Sequence, residues 1–252
     1  MFRWMKNEKI IEVNNLTAEL DNKVILSGIS CYALQGQVTV ILGSSGSGKS
    51  TLLRHMLGLY PSTSEAVSVM GVNPSLLNEN EEKTFYTSLG VFYQNGGLLN
   101  SLSVAENIAL PLEQHTDMPG ELIEKIVRQK LKLVNLEEAY DQYPSQLSGG
   151  MLKRAALARA IIMDPFILFC DEPGAGLDPV SLAALDELII NLQHLLGMTI
   201  VIVTHEVSSI LRIADRIIFL EEGKVLFQGT LDEGYESGLN SLELFFSKGR
   251  GE

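Results

Sequence analysis

The residues with the clearest chemical potential form a run of glycines and serines that ends in a lysine. The run follows an apolar stretch at residues 40–42 and consists of Gly43, Ser44, Ser45, Gly46, Ser47, Gly48, Lys49, Ser50 and Thr51. Glycines allow successive backbone N–H groups to point inward around an anion, and a following helix adds the positive end of its dipole. Lys49 suits the β- and γ-phosphates of a nucleotide, and the Ser50 hydroxyl suits Mg²⁺. The alternative is a glycine-rich turn that contains a lysine by chance, but the order strand, G-x-x-x-x-G-K-[ST], helix predicts an ATP site.

Two adjacent carboxylates follow a second apolar run, at residues 167–170. Burying Asp171 and Glu172 at the end of a hydrophobic strand is costly unless a cation or a proton compensates them. Mg²⁺ supplies that compensation if Asp171 binds it, directly or through water, while Glu172 orients and deprotonates an attacking water. The alternative is an exposed acidic turn, which the phosphate-binding loop in the same chain disfavours.

A second possible anion site lies at Ser148, Gly149 and Gly150, just before a strongly helix-forming stretch at residues 152–160. Glycines at a helix start expose backbone N–H groups, and Ser148 adds a hydroxyl. By itself the pattern is equally typical of an ordinary helix start. A single ATP does not need two anion sites from one chain, so we interpret this one as serving the ATP of a partner subunit.

The pattern of the segments around these residues predicts an α/β fold with a mainly parallel sheet. Continuous apolar runs at residues 37–42, 166–170, 199–203 and 216–220 alternate with helical patterns, which is typical of parallel strands covered on both faces. Residues 10–29 and 67–70 alternate in polarity and predict antiparallel strands. Between residues 96 and 164 helical spacing replaces the strand pattern, which predicts an inserted helical region.

Charge and composition narrow the function classes. The net charge is -12 and the pI is about 4.8, so the field of the whole molecule repels polyanions, and we expect no nucleic-acid partner. Cys31 and Cys170 lie far apart inside apolar runs, which predicts two buried free thiols in a reducing compartment. Residues 1–10 lack the apolar core of a secretory signal, and no stretch approaches the ~18 apolar residues of a bilayer span. We therefore expect a cytosolic chain, with any membrane span on another subunit.

The chain resembles the nucleotide-binding domain of ABC transporters. The resemblance rests on three motifs in this order: the loop through Lys49 and Ser50, the LSGG stretch at residues 147–150, and the apolar strand that ends in Asp171 and Glu172. The resemblance covers nearly the whole chain and implies a P-loop NTPase core of the RecA type with an antiparallel β subdomain and an inserted helical subdomain. It also implies a head-to-tail dimer, in which each ATP lies between residues 43–51 of one subunit and residues 148–150 of the other.

Three further residues match positions of that family. Gln94 resembles the Q-loop glutamine, which contacts Mg²⁺ and water and links the catalytic core to the helical lobe. His205 is similar to the switch histidine that contacts the γ-phosphate. Asp178 resembles the D-loop aspartate at the dimer interface. The resemblance thus implies Glu172, His205 and Gln94 as catalytic residues, and Ser50, Gln94 and Asp171 as the Mg²⁺ ligands.

The sequence departs from the family pattern at three places. Leu20 stands where an aromatic residue usually stacks on adenine, Ala175 replaces the D-loop serine, and Met151 replaces the usual glutamine after LSGG. The stretch LSGGM, with residues 110–116 and 153–160, is similar to the ATPases of Mce/Mla-type phospholipid transporters, and residues 244–246 fit their short C-terminal tail. That similarity implies integral-membrane permease subunits and an Mce-domain lipid-binding protein as partners, and a location at the cytoplasmic face of the inner membrane.

The resulting prediction is one ABC ATPase domain over residues 1–252. Its RecA-like core would span about residues 1–95 and 165–235, its helical subdomain about 96–164, and its tail about 236–252. Two alternatives stay open: a non-transport ABC ATPase acting in cofactor assembly, and transport of another substrate. A small-molecule kinase does not explain LSGG or the Asp178 segment.

Overall fold

The structure, a computed structural model, describes residues 8–63 and 65–250. Its strands are β1 Lys9–Leu20, β2 Lys23–Leu34, β3 Val38–Leu42, β4 Val67–Val69, β5 Leu89–Phe92, β6 Ile167–Asp171, β7 Thr199–Val203, β8 Arg216–Glu221 and β9 Lys224–Gly229. Its α-helices are α1 Lys49–Met56, α2 Glu79–Thr87, α3 Val104–His115, α4 Gly120–Leu133, α5 Gly149–Ala160, α6 Pro179–Leu196, α7 Val207–Ile213, α8 Leu231–Glu236 and α9 Asn240–Arg250. Short 3-10 turns are formed by Pro74–Leu76, Glu137–Ala139 and Pro144–Gln146.

The contacts group the chain into two compact units. The first unit contains the described residues through Glu82 together with those from Thr199 onward, and the second contains Lys83–Met198. Each unit carries part of the predicted site, and each is described by itself. The predicted subdomain bounds at residues 96 and 164 stay a prediction.

The first unit contains a sheet built around β3. In this unit the strand order is β7-β3-β8-β9, with β3 parallel to β7 and β8, and β9 antiparallel to β8. Every residue of β3 and β7 is buried, because these interior strands are covered on both faces. The parallel core predicted from the continuous apolar runs is confirmed, with strand bounds within one residue of those expected.

A separate antiparallel sheet, in the order β2-β1-β4, also belongs to the first unit. The β1–β2 hairpin closes at Asp21 and Asn22, whose φ values of 51° and 60° are those of a tight hairpin turn. Leu20 pairs with Lys23 across this turn. The predicted antiparallel strands are thus confirmed, although β2 extends five residues beyond the expected end at residue 29.

The second unit is mainly helical around the parallel pair β5 and β6, in which Phe92 lies opposite Cys170. Helix α3 begins with a capping box, because the Ser103 hydroxyl accepts from the Glu106 N–H and the Glu106 carboxylate accepts from the Ser103 N–H. Over residues 96–164, all of which are described, helices and short turns are the regular structure, so the expected helical region is confirmed.

Two predictions about the whole chain also have structural outcomes. Cys31 and Cys170 are buried free thiols, as expected. Burial raises the pKa of the Cys31 thiol to about 12 and raises the pKa of the Cys170 thiol further. Among the described residues, we find no helix with the length and apolar character needed to cross a bilayer.

Candidate functional site

The phosphate-binding loop connects the end of β3 to the start of α1. Gly48 caps α1 with a left-handed φ of 102°, and Lys49 is the first residue of the helix. The Lys49 ammonium folds back over the loop and donates to the carbonyl oxygens of Gly43 at 2.9 Å and Ser44 at 2.8 Å. A buried cation held on two carbonyls is poised to exchange them for the more negative oxygens of a phosphate.

Two positions of the loop require glycine for different reasons. Gly43 has a φ of 149°, and a Cβ at this position would lie 2.0 Å from the carbonyl oxygen of Leu220, so a side chain there would displace backbone. Gly48 has a φ of 102°, a conformation that residues with a side chain rarely adopt. A Cβ on Gly48 would also lie 2.6 Å from Cδ2 of the Leu26 side chain.

Exposure divides the loop into an open rim and a closed interior. Ser44, Ser45 and Gly46 are exposed, whereas Ser47 is buried and Ser50 is half-buried. The Ser47 carbonyl accepts from the N–H of Gly223, which fixes the interior side of the loop. An anion would therefore reach the backbone N–H groups from the rim.

His205 leaves the same sheet edge as the phosphate-binding loop. Ile41 of β3 lies opposite Val203 of β7, and the Thr204 N–H donates to the Ile41 carbonyl at 3.2 Å. Parallel strands end at a common edge, so the loop and His205 follow neighbouring strand ends. The His205 side chain is 59% exposed, with Nε2 3.9 Å from the Glu206 carboxylate.

The second unit brings together Gln94 and the paired carboxylates by the same geometry. Gln94 and Glu172 each lie two residues beyond a register pair, Phe92 opposite Cys170, so both leave one edge of the β5–β6 pair. Glu172 is 9% exposed and has a φ of 48°, while Asp171 is half-buried. A left-handed φ is uncommon for a residue with a side chain and is frequently associated with functional positions.

Two cations of α5, which the sequence analysis did not single out, hold the Gln94 loop. Lys153 is 6% exposed, and its ammonium donates to the Gln94 carbonyl oxygen. Arg159 donates to the carbonyls of Gly96 at 2.9 Å and Gly97 at 2.7 Å. The available signal was three cations, Lys153, Arg154 and Arg159, in an alanine-rich helix, since a charged side chain is rarely buried without a partner.

The second anion site predicted from LSGG lies at the start of α5. The Ser148 hydroxyl accepts from the Met151 N–H at 3.3 Å and thereby caps the helix. Ser148 and Gly149 are exposed, and Gly150 is half-buried. In the single chain, the amino-terminal end of α5 is therefore exposed to solvent.

Asp178 has a local structural role beside the one predicted for it. It caps α6 by accepting from the N–H groups of Val180 and Ser181, each at 3.0 Å, and from the Ser181 hydroxyl. The hydrogen bonds from Ser181 lower the pKa of the Asp178 carboxyl. Asp178 therefore stays ionised, which suits a helix start.

Three leucines that follow the Gln94 loop differ in exposure. Leu99 is 46% exposed, whereas Leu98 and Leu102 are half-buried. Asn107 fixes this segment: its amide accepts from the Leu99 N–H at 2.7 Å and donates to the carbonyls of Leu99 and Leu102 at 3.0 and 3.1 Å. Only Leu99 of the three presents a largely open apolar side chain.

The nucleotide-binding arrangement agrees with known proteins. A family model described as ABC transporter matches residues 26–175. The chain is 38% identical over 232 residues to the intermembrane phospholipid transport system ATP-binding protein MlaF of Haemophilus influenzae, covering 92% of this chain and 88% of that protein. It is 39% identical over 228 residues to the methionine import ATP-binding protein MetN of Haemophilus influenzae, covering 89% of this chain and 66% of that protein.

The fold agrees with a solved structure as well. The dimeric post-hydrolysis state of the ATP-binding cassette MJ0796 bound to ADP and Pi superposes with a TM-score of 0.78 at 30% identity, covering 88% of this chain and 98% of that chain. Because the family match spans more than half of the chain and the MlaF similarity covers most of both proteins, the chain belongs to the ABC transporter family and is one of its nucleotide-binding ATPases.

Proposed function

We propose that the chain hydrolyses Mg²⁺–ATP with the residues predicted from its motifs. The observation that carries the proposal is the Lys49 ammonium, which is held on the carbonyls of Gly43 and Ser44 inside a loop of left-handed glycines. On ATP binding, Lys49 exchanges these carbonyls for phosphate oxygens, and backbone N–H groups of residues 44–51 hold the remaining charge. Glu172 orients and deprotonates the attacking water, and His205 contacts the γ-phosphate.

The donor set expected for Mg²⁺ fits that ion. Ser50, Gln94 and Asp171 offer a hydroxyl, an amide and a carboxylate oxygen, which are the hard ligands that Mg²⁺ prefers. When bound, Mg²⁺ would neutralise phosphate charge during transfer. Asp171 is the last residue of β6, Gln94 lies two residues after β5, and Ser50 lies in the first turn of α1, which follows β3 through the phosphate-binding loop. Ligand sites of open α/β sheets lie beyond the carboxyl ends of the strands.

We propose further that the working unit is a head-to-tail dimer. The exposed amino end of α5 supports this arrangement, because Ser148, Gly149 and Gly150 form an anion site separate in the chain from the P-loop. Asp178 would lie at the interface. The similar cassette MJ0796 is dimeric, which supports a dimer as the working unit.

The substrate we propose is phospholipid, moved between bacterial membranes with permease subunits and an Mce-domain protein, with this chain at the cytoplasmic face of the inner membrane. Support comes from the similarity to MlaF over most of both chains and from Met151 after LSGG. The similar identity to MetN makes methionine import the leading alternative substrate.

The catalytic proposal is tested by two substitutions in the full chain. Glu172→Gln should keep ATP affinity, lose turnover and accumulate as an ATP-bound dimer in size-exclusion chromatography. Lys49→Ala should instead lose ATP affinity, measured by equilibrium binding of a fluorescent nucleotide. Normal turnover in Glu172→Gln would exclude Glu172 as the base, and retained affinity in Lys49→Ala would contradict the loop assignment.

The transport proposal is tested by purifying the tagged chain from detergent-solubilised membranes of its native host. Recovery of a multi-span permease together with an Mce-domain protein is the expected result. That complex, reconstituted in liposomes, should transfer labelled phospholipid in an ATP-dependent manner, and the Glu172→Gln complex should not. Phospholipid transport would be refuted if added methionine stimulated the ATPase activity of the complex. It would also be refuted if the chain were recovered without any permease.

A further inference from the structure

Helix α5 places a cation against the Gln94 loop, at the edge of the β5–β6 pair that Glu172 also leaves. The Lys153 ammonium donates to the Gln94 carbonyl and lies 5.6 Å from the centre of the Phe92 ring. All of these residues belong to the second unit. Because Phe92 lies opposite Cys170, Lys153 contacts the loop after β5 at the same edge that carries Glu172.

Lys153 and Glu172 carry charges of opposite sign. Both side chains are buried, at 6% and 9% exposure. Burial lowers the pKa of Lys153, and the negative charge of Glu172 acts in the opposite direction. Two opposite charges that are both buried act on each other more strongly than exposed ones do, because little water screens them.

Glu172 has an unusual backbone conformation, and the direction of its carboxylate must be set by neighbouring groups. Its φ of 48° places it in the left-handed region, which costs a non-glycine residue ~1–2 kcal/mol. The Ala175 N–H donates to the Glu172 carbonyl at 3.1 Å and closes the turn, but it does not orient the carboxylate. A fixed positive charge near the carboxylate can supply that orientation.

Arg159 provides a comparison on the same helix. It also holds the Gln94 loop, through Gly96 and Gly97, and burial lowers its pKa, with Tyr93 acting in the opposite direction. These contacts lie two and three residues beyond Gln94, farther along the loop from the end of β5. Anchoring of the loop and alignment of Glu172 are therefore separable by substituting one cation or the other.

We propose that Lys153 is a positioning residue that sets the Gln94 loop and the Glu172 carboxylate relative to each other through one ammonium group. The proposal rests on the catalytic role given to Glu172 under the proposed function. It assigns to Lys153 no contact with the nucleotide. Its effect should therefore fall on turnover and not on nucleotide affinity.

The test compares four single variants of the full chain. Lys153→Met removes the charge and keeps the stem, Lys153→Gln keeps a donor without the charge, and Lys153→Arg keeps both. Arg159→Met is the control for loop anchoring. Each is assayed for kcat and KM with Mg²⁺–ATP, for equilibrium affinity of a fluorescent nucleotide, and for thermal midpoint.

Lys153→Met and Lys153→Gln should lower kcat by about 10- to 100-fold, the scale of a misaligned catalytic group, with nucleotide affinity unchanged. Lys153→Arg should restore most of the turnover, and Arg159→Met should lose stability with a much smaller loss of kcat. Parental kcat in Lys153→Met or Lys153→Gln would overturn the proposal, as would an equal loss of kcat in Arg159→Met.

A double variant tests the charge relation without relying on activity. Lys153→Met should lower the thermal midpoint, and it should lower it less when Glu172 is already replaced by Gln, because the effects of two groups that act on each other are not additive. Additive losses would overturn the proposal. If the proposed function itself is wrong, the single variant Glu172→Gln should keep normal turnover, and this result distinguishes that failure from a failure of the positioning role.

Discussion

Substitution of Asn107 tests how the segment that carries Leu99 is held. Asn107 is fully buried, and its amide makes four hydrogen bonds: one from the Leu99 N–H, and one each to the carbonyls of Leu99, Leu102 and Ser103. Every partner lies in the second unit. An alanine at this position removes all four bonds and leaves the Leu99 N–H without its acceptor.

The size of the effect follows from the bond count. The Asn107 amide nitrogen has two hydrogens for its three carbonyl acceptors, so the four contacts count as three full hydrogen bonds. A net contribution of ~0.5–1.5 kcal/mol per hydrogen bond then gives a loss of about 1.5–4.5 kcal/mol for Asn107→Ala. For a chain of this size, ~2–4 °C per kcal/mol converts a central value of about 3 kcal/mol into a midpoint shift of roughly 6–12 °C. Asn107→Asp should be at least as destabilised, because it loses the amide donors and buries a charge.

Thermal and urea unfolding, followed by circular dichroism, measure these losses. Asn80→Ala is the matched control, because Asn80 is exposed on α2 and only its backbone N–H takes part in the local hydrogen bonds. Its stability should stay within ~0.5 kcal/mol of the parent, as is usual at exposed sites. A loss below ~1 kcal/mol in Asn107→Ala, the value for a single hydrogen bond, would refute the account.

Two further predictions concern the P-loop and the thiols. Gly43→Ala should be strongly destabilised and lose ATP binding, because its Cβ would lie 2.0 Å from the Leu220 carbonyl; Gly36→Ala, with a φ of 71° but nothing within 4 Å, should lose only ~1–2 kcal/mol. Equal unfolding midpoints for the two variants would contradict this. At pH 8 a Cys31 pKa of about 12 leaves roughly one thiol in ten thousand ionised. Neither Cys31 nor Cys170 should therefore react with a disulfide reagent in the native protein, whereas both should react in guanidinium; rapid native labelling would show that burial does not protect them.

The local sequence was sufficient wherever a motif encodes its own geometry. The P-loop could be predicted because left-handed glycines, a strand and a helix start are consecutive in the chain. The parallel strands β3 and β7 could be predicted because burial on both faces requires unbroken apolar runs. The capping role of Asp178 follows the same rule, since its partners at Val180 and Ser181 are two and three residues away.

Contacts between distant residues could not be predicted in this way. Nothing near Lys153 in the sequence indicates that its ammonium reaches Gln94, 59 residues earlier. The sequence alone does not distinguish Asn107 from an ordinary helix residue. Nor does it indicate that Leu98, Leu99 and Leu102 differ in exposure. These features depend on how helices pack, which the periodicity of one segment does not specify.

The sequence by itself determined the family, the nucleotide chemistry and the α/β class, because consecutive residues form the P-loop, LSGG and the Asp171–Glu172 strand end. Only the tertiary structure decided which side chains hold the Gln94 loop. The buried Lys153 and the half-buried Arg159 need carbonyl partners, and those partners come from a loop that is distant along the chain but adjacent in the fold. Local chemistry is encoded by neighbours in sequence, whereas the alignment of catalytic groups depends on neighbours in space.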